Sequence, residues 1–422
     1  MDKICVVGLG YIGLPTAVMF AKNGHEVIGV DVNEKVVDSL NHGEIHIEEP
    51  GIAELVKNVV EKGKLRASRS PEKADHFIIA VPTPVTADMT ADLSYVESAV
   101  ESILPFLKKG DNVIVESTIP PRTIDDQVIP ILRRTGLSPG DDLYVAHCPE
   151  RVLPGKILQE LVENNRIVGG IDEKSAVKSS NLYRSFVKGE IYETDAITAE
   201  MAKLMENTFR DVNIALANEL VKVSNKLKVN AWEVIKLANK HPRVNIHNPG
   251  PGVGGHCLAL DPYFIIEQAP KEAKLIAASR EINRSMPHFV VDQVKNIVNK
   301  ESRIAVFGLS YKGNTDDVRE SPAVEIVELL NAEGYDTKVY DPHVHDKSFQ
   351  VVTMQEAVDN ASLILVLTDH NEFKEMDFSL IEHYVRETII LDTKNCVKNP
   401  GSFDLRKLGN YGQLFSVGMN RG

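Results

Sequence analysis

Residues 4–13 have the sequence ICVVGLGYIG, and this stretch decides the fold of the first part of the chain. Its four leading apolar residues are typical of a buried strand, and a helical pattern follows the glycines. Gly8 allows a tight turn, Gly10 lets the backbone approach a pyrophosphate, and Gly13 lets helix and strand pack closely. A strand, a glycine turn and a helix in this order predict a dinucleotide-binding unit.

A carboxylate further along the chain supports this interpretation. Asp31 ends the second predicted strand, 18 residues after Gly13. An acid at this point can accept hydrogen bonds from the ribose hydroxyls of an adenosine. Because the same carboxylate repels a 2′-phosphate, the sequence favours NAD over NADP as the cofactor. The alternative is a glycine-rich turn that holds no ligand.

Short apolar runs alternate with helical patterns as far as residue 186, which predicts a parallel sheet covered by helices on both faces. The predicted strands are 4–8, 27–31, 77–81, 112–116, 143–148 and 166–170. The predicted helices are 11–23, 34–41, 51–62, 93–108, 122–134 and 173–186.

A single long helix is predicted over residues 196–228. Apolar residues recur there at steps of three or four, namely Met201, Met205, Phe209, Val212, Leu216, Leu220, Val223 and Leu227. At 1.5 Å per residue the helix would be roughly 50 Å long, and helices of this length usually cross between domains or subunits.

A second α/β unit begins at Ser302, with predicted strands at 303–308, 337–341, 363–368 and 388–392. Ser321-Pro322 has the residue types of a helix N-cap and first position. The predicted fold class is therefore α/β, with two Rossmann-like doubly wound domains joined by a long central helix and a helical region. The predicted boundaries are 1–195, 196–300 and 301–422.

The composition excludes several classes of protein. Hydrophobic residues make up 43% and charged residues 25%, the balance of an ordinary globular protein. A net charge of −13 makes nucleic acid and anionic membranes poor partners. The longest apolar runs are far below the 18 residues of a membrane span. With no secretory signal pattern and four scattered cysteines that form no CxxC pair, the sequence predicts a cytoplasmic protein.

The loop at residues 250–262, GPGVGGHCLALDP, surrounds one thiol with glycines. Glycines permit close approach to a ligand, so Cys257 is the candidate nucleophile, whereas the apolar strand contexts of Cys5 and Cys148 suit packing residues. The alternative is a small loop residue. His256 is the weaker candidate, because adjacent side chains diverge.

Further polar side chains lie where ligands are expected. Lys203, Asn207 and Arg210 share one face of the long helix, although a solvated face is the ordinary explanation. Thr83 and Thr118 follow predicted strands, so their hydroxyls are candidates for contacts to cofactor or water, or simply make turns.

The second α/β unit offers cations for a diphosphate at Tyr311-Lys312-Gly313. Its turn lacks the middle glycine of the dinucleotide fingerprint, so a different ligand is expected there. His343 and His345 suggest a metal, but no third ligand stands at suitable spacing, so a surface turn and no metal are expected.

Assembled, these segments resemble the UDP-glucose/GDP-mannose dehydrogenase family from end to end. The matching motifs occur in family order: GLGYIG, VPTP, ESTIPP, PERVLPG, AKLMENTFRD, GPGVGGHCLALDP, YKGNTDDVRESP and LDTKN. The segments HPRVNIHNPGPGVGGHC and CPERVLPG are most similar to the branch that acts on UDP-N-acetyl-D-mannosamine.

The resemblance implies a four-electron oxidation of the sugar C6 alcohol to a carboxylate, with two NAD reduced per sugar. Cys257 would capture the aldehyde as a thiohemiacetal, and a second oxidation would leave a thioester for water to hydrolyse. Lys203 and Asn207 would stabilise the oxyanion, and Lys203 would also relay a proton. Asp261 would orient the site, and Thr118 and Glu150 would hold or activate water.

The resemblance also implies two sets of binding residues. Besides the glycines Gly8, Gly10 and Gly13, the implied cofactor contacts are Tyr11, Ile12, Asp31, Thr83, Thr118 and Arg319. Besides Lys203 and Asn207, the implied contacts to the nucleotide sugar are Arg151, Val152, Arg210, His241, Arg243, Gly254, Tyr311, Lys312 and Lys394.

One departure from the family pattern leaves alternatives open. UDP-glucose enzymes carry a second glutamate four residues after the position of Glu150, where this chain has Pro154. The hydrolytic base is therefore not assigned. The alternatives to UDP-N-acetylmannosamine are UDP-N-acetylglucosamine and UDP-glucose. Cys257 disfavours a two-electron hydroxy-acid dehydrogenase. Cys257, Lys203, Asn207 and Asp261 together disfavour a non-catalytic NAD-binding or scaffold protein.

The resemblance finally implies a homodimer. In the family the long helices of two subunits pack together, which makes the helical region 196–300 a dimerisation domain. The arginine that matches Arg243 reaches the sugar site of the other subunit, so His241 and Arg243 would serve the opposite active site. The alternative is a monomer in which Arg243 caps its own proline-rich loop.

Overall fold

The structure is a computed structural model that describes residues 1–47, 49–153, 155–346 and 348–411. Pro154 therefore lies outside the described residues, as does the end of the predicted third domain. The chain forms two compact units. The first contains Met1–Glu206 and Tyr263–Pro270, and the second contains Asn207–Pro262 and Lys271–Gly422.

The first unit is built on a sheet of eight strands. They are β1 Lys3–Val7, β2 Glu26–Val30, β3 Leu65–Ser68, β4 His76–Ile79, β5 Asn112–Val115, β6 Tyr144–His147, β7 Arg166–Gly170 and β8 Ile191–Asp195. Their order across the sheet is β3-β2-β1-β4-β5-β6-β7-β8. Side chains of β1 alternate between two buried clusters, Ile4 and Val6 in one and Cys5 and Val7 in the other, as expected for a sheet covered on both faces.

Helices cover this sheet. They are α1 Gly13–Lys22, α2 Glu34–Asn41, α3 Ile52–Glu61, α4 Ser94–Ile103, α5 Ile129–Arg133, α6 Ile157–Glu163 and α7 Glu173–Tyr183. A 3₁₀ turn, Leu104–Phe106, continues α4, and a π-helical turn, Ile124–Val128, precedes α5.

Five helices follow before the second sheet begins. They are α8 Ala196–Leu227, α9 Ala231–Ala238 and α10 Asp261–Gln268, and then come α11 Lys274–Arg284 and α12 Met286–Lys295. The prediction of one long helix over 196–228 is confirmed to within a residue at its end. Five apolar side chains along α8 are exposed: Met205, Phe209, Leu216, Val223 and Leu227.

The second unit contains a five-stranded sheet in the order β10-β9-β11-β12-β13, with every pair parallel. The strands are β9 Arg303–Phe307, β10 Asp336–Tyr340, β11 Leu363–Val366, β12 Ile389–Asp392 and β13 Asp404–Lys407. The helices around it are α13 Pro322–Ala332, α14 Met354–Val358 and α15 Asn371–Glu375, with a 3₁₀ turn at Phe378–Ile381. Ser321 caps α13 by accepting from the backbone N–H of Ala323, as predicted.

The predicted fold class, two Rossmann-like α/β domains with a long central helix, is confirmed. One detail differs, because β6 and β7 pair antiparallel, Ala146 with Gly170 and His147 with Gly169. The chain between them turns back beside β6 instead of crossing the sheet, so the first sheet is not wholly parallel. Among the described residues, no helix is long and apolar enough to cross a membrane.

Candidate active site

The glycine turn after β1 has the geometry that its sequence predicts. Gly8 has a φ of 95°, and a Cβ on it would lie 2.5 Å from the carbonyl oxygen of Ala80. A Cβ on Gly13 would lie 1.8 Å from the carbonyl oxygen of Gly8, so no larger residue fits there. A Cβ on Gly10 would meet nothing within 4 Å. The turn is thus closed toward the protein and open at Gly10, which fits a dinucleotide at the N-terminus of α1.

Asp31 stands beside this turn. Its Oδ2 accepts from the backbone N–H of Leu9 at 3.1 Å, and its Oδ1 accepts from that of Asn33 at 2.9 Å. The side chain is half-buried, and each carboxylate oxygen keeps a second lone pair for a ribose hydroxyl. Tyr11 is exposed and Ile12 half-buried.

The two candidate threonines contact each other's loops. Thr83 is buried, and its hydroxyl donates to the carbonyl oxygen of Thr118 at 2.6 Å. The Ser117 hydroxyl donates to the carbonyl oxygen of Val81 at 2.7 Å. The hydroxyl hydrogen of Thr83 is therefore used within the protein, and only its lone pairs remain for a ligand. Thr118 is half-buried.

Lys203 is buried, with 6% of its surface exposed, which is rare for a lysine outside a functional site. Its charge acts on His147, which ends β6. Burial lowers the pKa of His147 to about 3, the hydrogen bond to Val115 opposes this shift, and the charge of Lys203 adds to it. Lys203 and Thr118 both belong to the first unit.

Glu150 belongs to a buried ionic cluster that the sequence did not predict. Arg166 Nη2 lies 2.6 Å from Glu150 Oε2, and Arg166 Nη1 lies 3.6 Å from Glu116 Oε1. Glu116 also accepts from the hydroxyls of Tyr183 at 2.6 Å and Thr16 at 3.1 Å. Burial raises the pKa of Glu116 to about 7, Arg166 opposes this shift, and the charge of Glu150 adds to it.

The neighbours of Glu150 are also engaged within the first unit. The backbone N–H of Arg151 donates to Glu150 Oε1 at 2.7 Å, and the Arg151 guanidinium pairs with Glu206 at 2.6 Å and donates to the carbonyl oxygen of Asn165. Val152 packs against the buried core of this unit. A sugar contact by Arg151 would therefore compete with Glu206.

In the second unit, Asn207 and Asp261 are held together. Asn207 Nδ2 donates to Asp261 Oδ2 at 2.6 Å, and Asp261 is buried. The backbone N–H of Asp261 donates to the carbonyl oxygen of Cys257 at 2.9 Å. The helix residue Asn207, the candidate nucleophile and the start of α10 thus form one connected group.

Cys257 differs from the other three cysteines in exposure. Cys257 is exposed, whereas Cys5, Cys148 and Cys396 are buried. Burial raises the pKa of Cys5 to about 11 and that of both Cys148 and Cys396 to about 12. A thiol must lose its proton to act as a nucleophile, so the three buried cysteines are poor candidates.

The ring of Tyr311 lies against the glycines that precede Cys257. A Cβ on Gly255, whose φ is 84°, would lie 2.8 Å from Cε2 of Tyr311, and a Cβ on Gly254 would lie 2.7 Å from its Cβ. Burial and Asp317 raise the pKa of Tyr311, with Cys257 adding to the shift and Arg319 and Arg210 opposing it. Arg210 is exposed and lies near enough to Tyr311 for its charge to act on the phenol.

The remaining cations lie around the same loop. Lys394 Nζ would lie 3.8 Å from a Cβ on Gly250 and is 4.0 Å from Asp369 Oδ1. Lys312 is exposed. Arg319 is held by two hydrogen bonds to Asp317, at 2.9 and 2.7 Å. Arg319 belongs to the second unit, whereas the glycine turn that is expected to bind the same cofactor belongs to the first.

His241 and Arg243 lie on an exposed stretch. His241 Nδ1 accepts from the backbone N–H of Arg243 at 3.3 Å, and both residues are exposed. Their contact with the sugar site of another subunit stays a prediction.

The sequence also missed two neighbours of His343. His343, His370 and Glu372 offer ligand atoms within 4.8 Å of one another. However, His370 Nδ1 accepts from the backbone N–H of Asn314 at 2.9 Å, and His370 Nε2 faces Asp341 Oδ2 at 3.1 Å. Both ring nitrogens of His370 are thus already bonded, which argues against a metal at this cluster. Buried pairs such as this one and Glu116–Arg166 leave no sequence signal, because their members are distant along the chain.

Comparison with known proteins agrees with this geometry. Residues 2–187, 197–285 and 305–399 match the NAD binding, central and UDP binding domains of the UDP-glucose/GDP-mannose dehydrogenase family. A UDP-N-acetyl-D-mannosamine dehydrogenase of Methanocaldococcus jannaschii is 52% identical over 93% of this chain and 92% of its own length. An NDP-N-acetyl-D-galactosaminuronic acid dehydrogenase of Ralstonia nicotianae is 48% identical over 93% and 95%.

The structural match is equally extensive. The UDP-N-acetyl-mannosamine dehydrogenase of S. aureus superposes with a TM-score of 0.90 at 55% identity, covering 97% of this chain and 99% of that one. The predictions of the family and of NAD as its cofactor are confirmed. By sequence, by domain order and by fold, the chain belongs to the UDP-glucose/GDP-mannose dehydrogenase family.

Proposed function

We propose that this chain oxidises the C6 alcohol of UDP-N-acetyl-D-mannosamine to the carboxylate of UDP-N-acetyl-D-mannosaminuronate. The observation that carries this proposal is the exposed thiol of Cys257 in a glycine loop, joined to the Asn207–Asp261 pair. The names of the Methanocaldococcus jannaschii and S. aureus relatives support the choice of sugar.

The thiol is needed because the reaction has two oxidation stages. Bound NAD would accept one hydride in each stage. After the alcohol has lost a hydride and a proton, the Cys257 thiolate adds to the C6 carbonyl carbon and forms a C–S bond. Loss of a second hydride leaves a thioester, and water then adds to the acyl carbon and breaks the C–S bond. The covalent bond keeps the aldehyde from leaving between the two stages.

The polar residues of the site stabilise the charge that develops at C6. Asn207 uses one amide N–H for Asp261, and its second N–H remains to donate to the oxyanion. Lys203 supplies a positive charge for the same oxyanion and relays a proton. Asp261 fixes the orientation of the Asn207 amide, which makes Asp261 a positioning residue.

We assign the hydrolytic water to Thr118 and Glu150. Both oxygens of Glu150 already accept hydrogen bonds, from Arg166 and from the backbone of Arg151. Each oxygen has another lone pair, so Glu150 suits orienting a water better than reorganising to abstract its proton. We place the nucleotide sugar on Arg151, Val152, Arg210, Gly254, Tyr311, Lys312 and Lys394, and the cofactor on the turn of Gly8 to Gly13 with Tyr11, Ile12, Asp31, Thr83, Thr118 and Arg319.

The decisive experiment measures NADH yield with a panel of UDP-sugars. We expect two NADH per UDP-N-acetylmannosamine and a lower kcat/KM for UDP-N-acetylglucosamine and UDP-glucose. UDP-N-acetylgalactosamine belongs in the panel because of the name of the Ralstonia relative. A yield of one NADH with a stable aldehyde as product would refute the covalent mechanism, and a preference for another sugar would refute the substrate.

A matched pair of cysteine variants tests the nucleophile. Cys257→Ala should abolish acid formation and leave NAD binding nearly intact, since the thiol enters only the covalent steps. Cys148→Ala removes a buried thiol of similar size and should keep substantial activity. Equal activity of the two variants would contradict the assignment of Cys257.

We further propose a homodimer in the cytoplasm, with residues 1–195, 196–300 and 301–422 as NAD-binding, dimerisation and UDP-binding domains. The exposed apolar residues of α8 support the dimer, since three of them, Phe209, Leu216 and Leu227, are 59, 52 and 66% exposed. An apolar row of this length on a surface usually marks an interface. His241 and Arg243 would then contact the sugar in the partner's site.

Complementation tests the shared site. Arg243→Ala and Cys257→Ala chains, each nearly inactive, are mixed under conditions of subunit exchange. One site of the mixed dimer then carries both defects and the other carries neither, so activity should return. The control mixes Asn207→Ala with Cys257→Ala, which are defects of the same subunit's site, and should recover nothing. A monomer at working concentration, or no recovery despite proven exchange, would refute the proposal.

A further inference from the structure

The loop from Ser310 to Asn314 carries Tyr311 and Lys312, which we place at the nucleotide. The start of the loop is fixed by Asp341, whose Oδ2 accepts from the backbone N–H groups of Leu309 at 2.7 Å and Ser310 at 3.3 Å. Asp341 directly follows the neighbouring strand β10, and its side chain is fully buried. The backbone at the entrance to the loop is therefore fixed by one carboxylate.

His370 fixes the other end of this loop. Its Nδ1 accepts from the backbone N–H of Asn314 at 2.9 Å. Its Nε2 lies 3.1 Å from Asp341 Oδ2 and 3.4 Å from the hydroxyl oxygen of Ser310. Because a backbone N–H can only donate, Nδ1 must be unprotonated, so the ring proton sits on Nε2 and is donated to Asp341. One buried imidazole thus joins both ends of the loop.

Asn314 depends on this contact more than an ordinary loop residue would. Its φ is 61°, in the left-handed region that few residues other than glycine adopt. Its Oδ1 accepts from the backbone N–H of Asn371 at 2.9 Å, so its side chain is tied to the residue that follows His370. The conformation of Asn314 is therefore set by hydrogen bonds from one segment.

The loop in turn contacts the glycines before Cys257. The Tyr311 ring fills the space that a side chain at Gly255 would take, and the Cβ of Tyr311 lies where a side chain at Gly254 would begin. The backbone N–H of Gly255 also donates to the carbonyl oxygen of Arg319 at 3.1 Å. A continuous set of contacts within the second unit therefore runs from His370 through the nucleotide loop to the nucleophile loop.

We propose that His370 is a positioning residue for nucleotide binding, which acts by holding Asn314 and so the Tyr311–Lys312 backbone in its binding conformation. The inference rests on the proposed function in one respect, that the nucleoside diphosphate binds at this loop. His370 itself touches neither substrate nor cofactor. Its two ring nitrogens make separable contributions, Nδ1 to Asn314 and Nε2 to Asp341 and Ser310.

Two substitutions separate these contributions. An asparagine at this position places its Oδ1 near the site of Nδ1 and still accepts from Asn314. A glutamine places its amide nitrogen near the site of Nε2 and still donates to Asp341, but loses the acceptor for Asn314. His343→Ala is the matched control, because the His343 ring stacks on His370 at 4.7 Å but bonds Glu372 instead of the loop.

The first measurement is binding of UDP alone by calorimetry. We expect His370→Gln to weaken UDP binding about five- to tenfold, the effect of one lost hydrogen bond with some loosening of the loop. His370→Asn and His343→Ala should bind within about twofold of the parent chain. In turnover, the Gln variant should raise the KM for the UDP-sugar by the same factor and leave kcat and the KM for NAD unchanged.

A merely structural role predicts a different result. Equal losses for the Asn and Gln variants, a rise in the KM for NAD, or unchanged UDP binding in the Gln variant would overturn the proposal. A chain that binds UDP but oxidises no UDP-sugar would refute the proposed function and leave this inference standing.

A second measurement needs no variant. In the unmodified protein, hydrogen exchange at the Asn314 amide should be slow and independent of UDP, because His370 already holds it. Exchange as fast as that of an exposed loop amide would overturn the proposal even if the variants failed to fold.

Discussion

Each of the two sheets begins with a βαβ segment, and the turns after the first strands have the same backbone conformation. They differ in how much space they leave for a ligand. Gly8 and Gly308 both follow the first strand with a φ of 95°. Asp31 and Asp341 both directly follow the adjoining strand. Each accepts from the backbone N–H of the residue after that glycine, Leu9 at 3.1 Å and Leu309 at 2.7 Å. The same turn chemistry therefore serves both units.

The difference lies above the turn. In the first unit Gly10 faces open space, and Asp31 is half-buried. In the second unit Ser310 occupies the position of Gly10, its hydroxyl donates to the carbonyl oxygen of Lys312 at 2.9 Å, and His370 covers Asp341. The Asp31 carboxylate is available to a ligand, whereas the Asp341 carboxylate is bonded to groups of the protein. One unit can thus hold a dinucleotide on its turn, whereas the other offers only its loop.

The largest effect on stability should come from removing the Asp341 carboxylate, with removal of the Asp31 carboxylate as the comparison. Asp341→Ala leaves four backbone donors and His370 without their acceptor in a buried place, so we expect a loss of about 3–5 kcal/mol in the free energy of unfolding. Asp31→Ala should cost at most about 1 kcal/mol, since Asp31 is half-buried. Urea unfolding of both variants checks this, and equal losses would erase the distinction between the units.

A smaller effect on stability should follow when Gly10 is replaced by serine, the residue at the equivalent position 310 of the second turn. Gly10→Ser places a side chain where the protein leaves space, so stability should change by less than about 0.5 kcal/mol. The KM for NAD should nevertheless rise about tenfold, because the backbone can no longer approach the pyrophosphate. UDP binding should be unchanged and provides the control. An unchanged KM for NAD would mean that the cofactor does not lie on this turn.

Cofactor preference should respond to Asp31 alone. Asp31→Asn removes the charge that repels a 2′-phosphate, so the ratio of kcat/KM for NAD to that for NADP should fall about tenfold, which is roughly 1.4 kcal/mol. The measurement is steady-state kinetics with both cofactors. A parent chain that already uses the two cofactors equally would contradict the role of Asp31.

The smallest effect concerns pH. Burial raises the pKa of Glu116 to about 7, so the folded state holds a proton that the unfolded chain has lost, and stability from this group falls as pH rises from about 4.5 to about 7. Burial would also raise the pKa of Asp341, but His370 and the backbone donors outweigh it and lower that pKa to about 2. Its contribution is present above about pH 4 and lost below.

Glu116→Gln tests the sign. Relative to the parent chain, the variant should gain on the order of 1 kcal/mol in stability between pH 5 and pH 8. Urea midpoints of both proteins at the two pH values give the difference. A constant difference would show that Glu116 is charged throughout.

Much of the fold followed from local patterns. The glycine turn, the long helix and the Ser321 cap were predicted because each depends on residues close in sequence. The strands Leu65–Ser68, Ile191–Asp195 and Asp404–Lys407 were missed because they are short, two of them have no buried residue, and none forms an apolar run. Edge strands of this kind depend on their neighbours for pairing.

The candidate site also contains residues that local sequence predicts and residues that it does not. Cys257 was predicted from the glycines around it. Asn207 and Asp261, which a hydrogen bond joins in the structure, were named only from the motif resemblance. His370 did not stand out, because its partner Asp341 is 29 residues away and the bond depends on two strands meeting. The same holds for Arg166 and Glu116. Buried polar contacts of this range are products of the tertiary fold and become visible only with it.

The difference in exposure among the four thiols should allow selective chemical modification of one cysteine in the folded protein. Three are shielded in the interior and one is exposed on the loop of the proposed active site. An alkylating reagent such as iodoacetamide should therefore attach once per folded chain and stop turnover in proportion to its uptake. The mass of the modified chain would then count active sites directly, and a second adduct would report unfolding.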